Sequence, residues 1–510
     1  MMQRFVTLMA ALLCCTSLYS IEWHNPQDQS PNPMQGQYWQ EEERENHFDK
    51  LPLRAKKGLS KEEWHSANIS EGMSVRFRTS SQNITIKYET DTQINMSTPK
   101  LYGTDNNGGV KEFEGHANSK GEEYTFSNIE LDRSVHRSRG YDYQLWLPSL
   151  GSVTKLEIGV DDGSFFKFKD RREEFPLVIL GKGGGMTLSL QMDRPIIALG
   201  GITKHIAEFA AEIEAKAFVV NCDAEERAKG GKQDVVKSVK ALREVQPQTP
   251  IVISRKEGFE ELTASYEGVY LVENISDVES KLREVLSCPK GAISTTQPVT
   301  QCRAGVIEWH DQCGYIIKEL RNSEAKSVVL GNSIVQNWSS NSPYEERYGG
   351  GKAGRAGLEC WNKYMDGFIN MGIGSDRVEN LLWRVYNDQF EIKELERIII
   401  MIGTNNLRLR NTYDEIAQGI DNLIEQIQHR QPQADITIVG VLPRKDIEWA
   451  QIQTLNTKIE GVAKVRGVKY KNVGHVLLDE NETPRDELYS DGVHLSAEGY
   501  MLYGEALMGE

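Results

Sequence analysis

Ser490-Asp491-Gly492-Val493-His494, close to the carboxyl end of a 510-residue chain, sets an Asp three residues before a His. Roughly 160 residues earlier, the apolar run Val328-Val329-Leu330 ends in Gly331-Asn332-Ser333. Between them lie Asn370-Met371-Gly372-Ile373-Gly374-Ser375-Asp376 and Ile402-Gly403-Thr404-Asn405-Asn406. A hydroxyl nucleophile, two oxyanion-donor candidates and an Asp–His pair, in that order, are the components of serine-dependent acyl transfer. Each is weak alone. Turns use Gly, Asn and Ser for local reasons, and an Asp shortly before a His also opens helices. The ordered set points to chemistry, because each part follows an apolar strand or sits in a loop, where open α/β sheets bind their ligands.

The roles follow from the side chains. Ser333 attacks an ester carbonyl, and His494 takes its proton and returns it to the leaving alcohol. Asp491 fixes the imidazole tautomer and stabilises its charged form. The backbone N–H groups of Ser333 and Ser375, with the Asn405 side-chain amide, receive the developing oxyanion. Trp338, just after the nucleophile, is a candidate for stacking on a sugar ring, as are Trp361 and Tyr364. Arg355, Arg377 and Arg384 are candidate partners for a substrate carboxylate, which a guanidinium matches bidentately. Against these stand ordinary core packing and structural ion pairs. There is no Cys-x-x-Cys, no His-Glu-x-x-His and no Cys/His cluster, so no metal site and no cofactor are expected.

Charge narrows the partners. With 59 Lys+Arg against 74 Asp+Glu the net charge is −15, which argues against binding a phosphate backbone. Nucleic acid is excluded as a partner on that ground. Residues 1–20 have the form of a secretory signal: Arg4, the apolar stretch Phe5 to Leu13, then Ser17 and Ser20 as small residues for cleavage. That stretch is well short of the roughly 20 apolar residues a membrane span needs. Cys14 and Cys15 follow Leu-Leu, a poor context for lipidation. The expectation is an exported protein, periplasmic or secreted, with no transmembrane segment. Five cysteines then remain: Cys222, Cys288, Cys302, Cys313 and Cys360. The odd count leaves at least one thiol unpaired, and either Cys302–Cys313 or Cys288–Cys302 would suit a staple.

A chain of this length divides into roughly two to four domains. From about residue 70 the hydrophobic period is two, as in Met73-Ser-Val75-Arg-Phe77, Ile84-Thr-Ile86-Lys-Tyr88 and Leu156-Glu-Ile158-Gly-Val160. Residues 45–170 therefore read as a β-sandwich. Residues 171–290 alternate apolar strands (Pro176 to Leu180, Arg194 to Leu199, Ala217 to Val220, Ile251 to Ser254) with amphipathic stretches, the pattern of a parallel α/β sheet. A Pro/Thr/Gln-rich linker is expected at 291–303. The same rhythm restarts over 304–510, with strands at Val328–Leu330, Arg397–Ile402 and Ile436–Val441. A helix there has Ile416, Ile420, Leu423, Ile424 and Ile427 on one face.

These residues carry a resemblance. With Ser333 ahead of them, the stretches Asn370–Arg384 (NMGIGSDRVENLLWR), Ile399–Asn406 (IIMIGTNN), His429–Leu442 (HRQPQADITIVGVL) and Asp491–Tyr500 (DGVHLSAEGY) resemble the SGNH (GDSL-type) hydrolase superfamily, whose four blocks carry Ser, Gly, Asn and His. The nearest likeness is to the branch of platelet-activating-factor acetylhydrolase Ib catalytic subunits and bacterial carbohydrate acetylesterases. The resemblance implies a flavodoxin-like α/β fold for 304–510 and the roles given above for Ser333, Ser375, Asn405, Asp491 and His494. Two positions depart from its pattern. Asn332 stands where an Asp is usual, and Ser375 replaces a Gly whose backbone N–H is the donor, which a Ser still supplies.

Residues 45–290 resemble a β-sandwich followed by a second SGNH domain, on Tyr141–Val160, Pro176–Met186 and Arg194–Cys222. Here the first strand ends in Gly181-Lys182-Gly183 with no nucleophile, and no Asp-x-x-His occurs before Cys288, so this domain is expected to be degenerate. A phosphate-loop reading of Gly-Lys-Gly-Gly-Gly fails on spacing. The full arrangement is similar to sialate O-acetylesterases, which implies an O-acetylated glycan as substrate. Acetylxylan or hemicellulose deacetylation and short-chain lipid hydrolysis are the enzymatic alternatives. A glycan-binding protein with a vestigial hydrolase fold is the non-enzymatic one. Oligomeric state is not legible.

Overall fold

The period-two segments of the first 170 residues pair antiparallel, as alternating burial requires. The computed structural model describes residues 20–91, 97–105, 109–118, 123–131, 140–222, 231–255, 257–286, 293–301, 308–343, 355–409 and 411–509. Apart from Ser20, the expected leader lies outside them. One antiparallel sheet runs in the order Ile21–His24, Val153–Asp161, Ile84–Thr90, Glu123–Phe126, Gly115–Ala117. A second runs Phe166–Phe168, Ser74–Thr79, Tyr141–Trp146, Lys100–Thr104, Val110–Phe113, with Met34–Gln35 beside Ser74–Thr79. Val75, Phe77, Ile84, Ile86, Leu156, Ile158 and Val160 are buried, as their spacing predicts. Ser74–Thr79 departs from strict alternation by being buried along its whole length. Its Arg78 is tolerated there because the guanidinium donates to both Asp142 oxygens, at 2.8 and 3.1 Å.

These strands belong to one compact unit, residues 1–170 with 197–201; the second unit is 171–196 with 202–510. In the second unit, short apolar runs become parallel strands. β1 (Leu177–Leu180), β2 (Ala217–Val220), β3 (Ile251–Ile253) and β4 (Val269–Leu271) pair successively in register. A further sheet contains β5 (Ser327–Gly331), β6 (Phe368–Gly372), β7 (Arg397–Met401), β8 (Asp435–Val439) and β9 (Lys469–Lys471). Its order is β6-β5-β7-β8-β9, so the chain reverses its winding direction at β5. That reversal opens a crevice outside the carboxyl ends of the strands. Gly331 is the register partner of both Gly372 and Met401, so the loops after β5, β6 and β7 leave from one edge.

The helices needed below are α1 (Ser333–Ser339), α2 (Val378–Tyr386), α3 (Thr404–Arg408), α4 (Tyr413–Arg430) and α5 (Ala497–Met508). On α4, Ile416, Ile420, Leu423, Ile424 and Ile427 are all fully buried, matching the apolar stripe. β4 and β9, three residues each, were not legible because, unlike the equally short but fully buried β3, they are only partly buried.

The two parallel sheets, which the sequence separates at 291–303, share the second unit. Arg194, buried, donates to Phe175 O at 3.0 Å and Tyr386 O at 2.7 Å, and pairs with the fully buried Asp388. Lys216 approaches Asp388 to 2.9 Å. Asp193 accepts from Trp383 Nε1 and from Arg172, each at 2.8 Å.

The described part of the expected linker, 293–301, is a docked strap. Thr295, buried, donates to Glu415 O at 2.6 Å, and Val299 exchanges bonds with Glu379 O and Asn380 Nδ2 at 3.2 and 2.9 Å. Cys313 is a buried free thiol, as is Cys360, and Cys222 is buried too. This removes the Cys302–Cys313 staple, and Cys288 and Cys302 lie outside the described residues. Among the described residues no helix is long and apolar enough to cross a membrane.

Candidate active site

β5 delivers Ser333 through a capped turn. Asn332 is extended, and its side chain accepts the Ile334 N–H at 2.9 Å, so it caps α1 and Ser333 takes the first helical position. This explains why an amide serves in place of an Asp at residue 332: the position caps a helix and touches no reacting group. Glycine is required at two points beneath Ser333. A Cβ on Gly331 would lie 2.6 Å from Met401 O, and one on Gly372 would lie 2.2 Å from Gln336 N. Only glycines let α1 settle this closely on the strand ends.

The Asp–His pair lies in a turn ahead of α5, whose cap is Ser496. Asp491 Oδ1 accepts the backbone N–H groups of Val493 and His494 at 2.8 and 2.7 Å. Asp491 Oδ2 lies 2.7 Å from His494 Nδ1, and His494 Nε2 lies 2.8 Å from Ser333 Oγ. Burial tends to raise the Asp491 carboxyl, but those N–H donors and the imidazole outweigh it and hold it below the usual carboxylate range. The carboxylate is therefore held in its ionised form beside the imidazole.

The β6 loop supplies Ser375 in a turn closed by Asp376 N–H to Ile373 O at 3.2 Å. Ser375 has φ +63°, a left-handed conformation costing a side chain about 1–2 kcal/mol. Asn405 lies in the first turn of α3, and its Nδ2 donates to Asp376 O at 2.9 Å. Ser375→Gly is expected to keep kcat within about threefold, because the donor is a backbone N–H. It should hold or raise the urea midpoint, since relief of the positive φ offsets the roughly 0.5–1 kcal/mol of added chain entropy. A much larger loss of kcat would assign the hydroxyl a role of its own.

Two substrate-contact expectations, Trp338 and Arg384, are corrected. Trp338 is fully buried against Trp361, Tyr500 and Tyr503, leaving no face for a sugar. Arg384 is fully buried, donating to Asp376 Oδ2 at 2.9 Å and Met371 O at 2.7 Å, so it reads protein and not ligand. Arg377 is a quarter exposed and engages Glu379 at 2.6 Å. Arg355 is exposed and remains a candidate.

Other residues escaped the sequence reading. Asn406 accepts from Val378 N–H at 3.1 Å and donates to Glu379 at 2.9 Å, joining the β7 loop to α2. Arg444 donates to Thr404 O and Oγ1, both at 3.0 Å, while Lys445 N–H donates to Gly492 O at 2.9 Å. The β8 loop thus ties the Asn405 and His494 segments together. A Pro-Arg-Lys-Asp run after a strand was the available signal.

Residues 329–502 match the GDSL-like lipase/acylhydrolase family, and residues 21–166 match the N-terminus of an SGNH-hydrolase-type esterase. The chain carries a GDSL (SGNH) hydrolase family domain and is a carboxylic ester hydrolase. Platelet-activating factor acetylhydrolase IB subunit alpha2 of Rattus norvegicus is 29% identical over 203 residues, 38% of this chain and 80% of that protein. Among solved structures, a GDSL-like lipase from Bacteroides thetaiotaomicron aligns at TM-score 0.29 and 22% identity, over 37% of this chain and 87% of that one. A carbohydrate acetylesterase from Sinorhizobium meliloti aligns at TM-score 0.28 and 18% identity, over 36% and 97%.

Proposed function

We propose that this chain is an exported serine esterase that removes O-acetyl groups from carbohydrate, with O-acetylated sialic acid as its substrate. The observation that carries the esterase chemistry is the unbroken Ser333–His494–Asp491 relay, at 2.8 and 2.7 Å. In this reading Ser333 Oγ attacks the ester carbonyl carbon as His494 Nε2 takes its proton. The N–H groups of Ser333 and Ser375 and the Asn405 amide stabilise the tetrahedral oxyanion. Collapse expels the alcohol, which takes the proton from His494 and leaves an acyl-serine. Water, deprotonated by the same imidazole, then releases the acid and restores Ser333.

The carbohydrate part rests on the order of segments described from sequence: a β-sandwich, a degenerate SGNH-like domain and a complete one. In that order residues 171–290 are catalytically silent. Gly183 offers no hydroxyl, and the Asn221 amide ties the loop down by donating to Lys182 O and Gly183 O at 2.8 and 3.1 Å. A vestigial glycan-binding role therefore suits 171–290 better than 304–510, where the relay is complete.

A second substrate reading, deacetylation of neutral hemicellulose sugars, gains from one observation: Arg377 and Arg384 are already committed to Glu379 and Asp376. Acetate release from O-acetylated sialic acid and from acetylated xylo-oligosaccharides decides between them. The sialate reading requires kcat/KM to favour the sialic acid by about tenfold or more. Equal or better turnover of the xylo-oligosaccharide replaces it with the hemicellulose reading.

A further inference from the structure

We propose that Asp376 is the positioning residue of the oxyanion hole, a role that rests on the esterase reading above. Its side chain is fully buried, yet its carboxylate makes three bonds from three separate elements. Oδ1 accepts from Gln301 Nε2 of the strap at 2.8 Å and from Trp309 Nε1, in the helix Trp309–Asn322, at 2.7 Å. Oδ2 accepts from Arg384 of α2 at 2.9 Å. Arg384 is held in turn by Met371 O at the end of β6 and by Gln389 Oε1, at 2.7 and 3.0 Å. Burial pushes the Asp376 carboxyl up to about 6, against the pull of the guanidinium and the two neutral donors.

A buried carboxylate costs several kcal/mol unless it is fully bonded, so an arrangement this complete holds its backbone in one place. That backbone carries both oxyanion-donor candidates of the β6 and β7 loops. Ser375 precedes Asp376 directly, and the Asp376 carbonyl accepts Asn405 Nδ2 at 2.9 Å. A carbonyl can only accept, so this bond turns the NH2 end of the Asn405 amide toward the loop and leaves its second N–H for another acceptor. Gln301 braces the same turn by donating to Gly374 O at 3.2 Å. The left-handed Ser375 persists because its surroundings over-determine it. Donors contribute most to catalysis when they are fixed before charge develops.

Asp376→Asn and Gln301→Leu, each in the full-length chain, test this with p-nitrophenyl acetate. Rates are counted per Ser333 titrated by a fluorophosphonate. In both variants kcat should fall about 10–10²-fold, less than the 10²–10³ that follows deletion of one donor. KM should stay within about twofold, and a trifluoromethyl ketone, which forms a tetrahedral oxyanion on Ser333, should weaken in step with kcat/KM. A purely structural role gives a different result: a lower melting midpoint and fewer titratable sites, with kcat per site unchanged. That outcome overturns the proposal. If Asp376→Asn does not fold, Gln301→Leu decides alone, because it keeps the Trp309 and Arg384 bonds. Ser333→Ala separates the two levels. Full turnover in that variant sinks the esterase reading, whereas its inactivity beside wild-type kcat in the other two sinks only the role of Asp376.

Discussion

Replacing Ser333 or His494 by Ala is expected to lower kcat for a simple acetyl ester by about 10⁴–10⁶, and the double replacement should be scarcely slower than either alone. The non-additivity is the diagnostic part. Ser333 Oγ and His494 Nε2 share one hydrogen bond of 2.8 Å, and neither group does useful work without the other. Without the imidazole the hydroxyl is a poor nucleophile, and without the hydroxyl the imidazole has no proton to take. What survives is the contribution of substrate binding and oxyanion donors, about 10³–10⁴ over water. Initial rates on p-nitrophenyl acetate measure this, together with mapping of the fluorophosphonate adduct to a peptide. The label should fall on Ser333 and on no residue of 171–290. Additive losses, or wild-type turnover in Ser333→Ala, would falsify the assignment.

Asp388→Ala is expected to cost about 3–5 kcal/mol of stability, the penalty for leaving buried cations without their counter-charge. Arg194 is buried and Lys216 nearly so, and both converge on a carboxylate with no exposed surface. Burial alone would raise the Asp388 carboxyl, but Arg194 and then Lys216 hold it below its ordinary value of 3.8. A depressed carboxylate binds fewer protons in the folded chain than in the unfolded one. Its stabilising contribution is therefore complete above about pH 4 and is lost as pH falls through the folded value. Urea midpoints between about pH 2 and 7 test both points. The wild type should lose stability on acidification by more than Asp388→Asn does, and parallel curves would show that the pair contributes nothing.

The geometry of the candidate relay was legible because it is written locally. Asp491 and His494 stand three residues apart in one turn, and a Ser two residues past the end of an apolar strand can only emerge at the edge of the sheet. The apolar face of α4 and the strands β5, β7 and β8 were equally legible, since a period of 3.6 or a continuous apolar run needs no distant partner. The fate of the charges was not. Arg384 has the spacing of a free cation after a binding loop, and nothing within reach of it in sequence says that Gln301 and Trp309 arrive from elsewhere to bury its partner. Asp388 and Arg194 are 194 residues apart. Sequence fixes backbone period and turn chemistry over a few residues, and here that was enough to order a candidate nucleophile, base and donors. Whether a charge faces solvent, a substrate or another charge depends on which remote segments remove its water, and only the tertiary structure decided that.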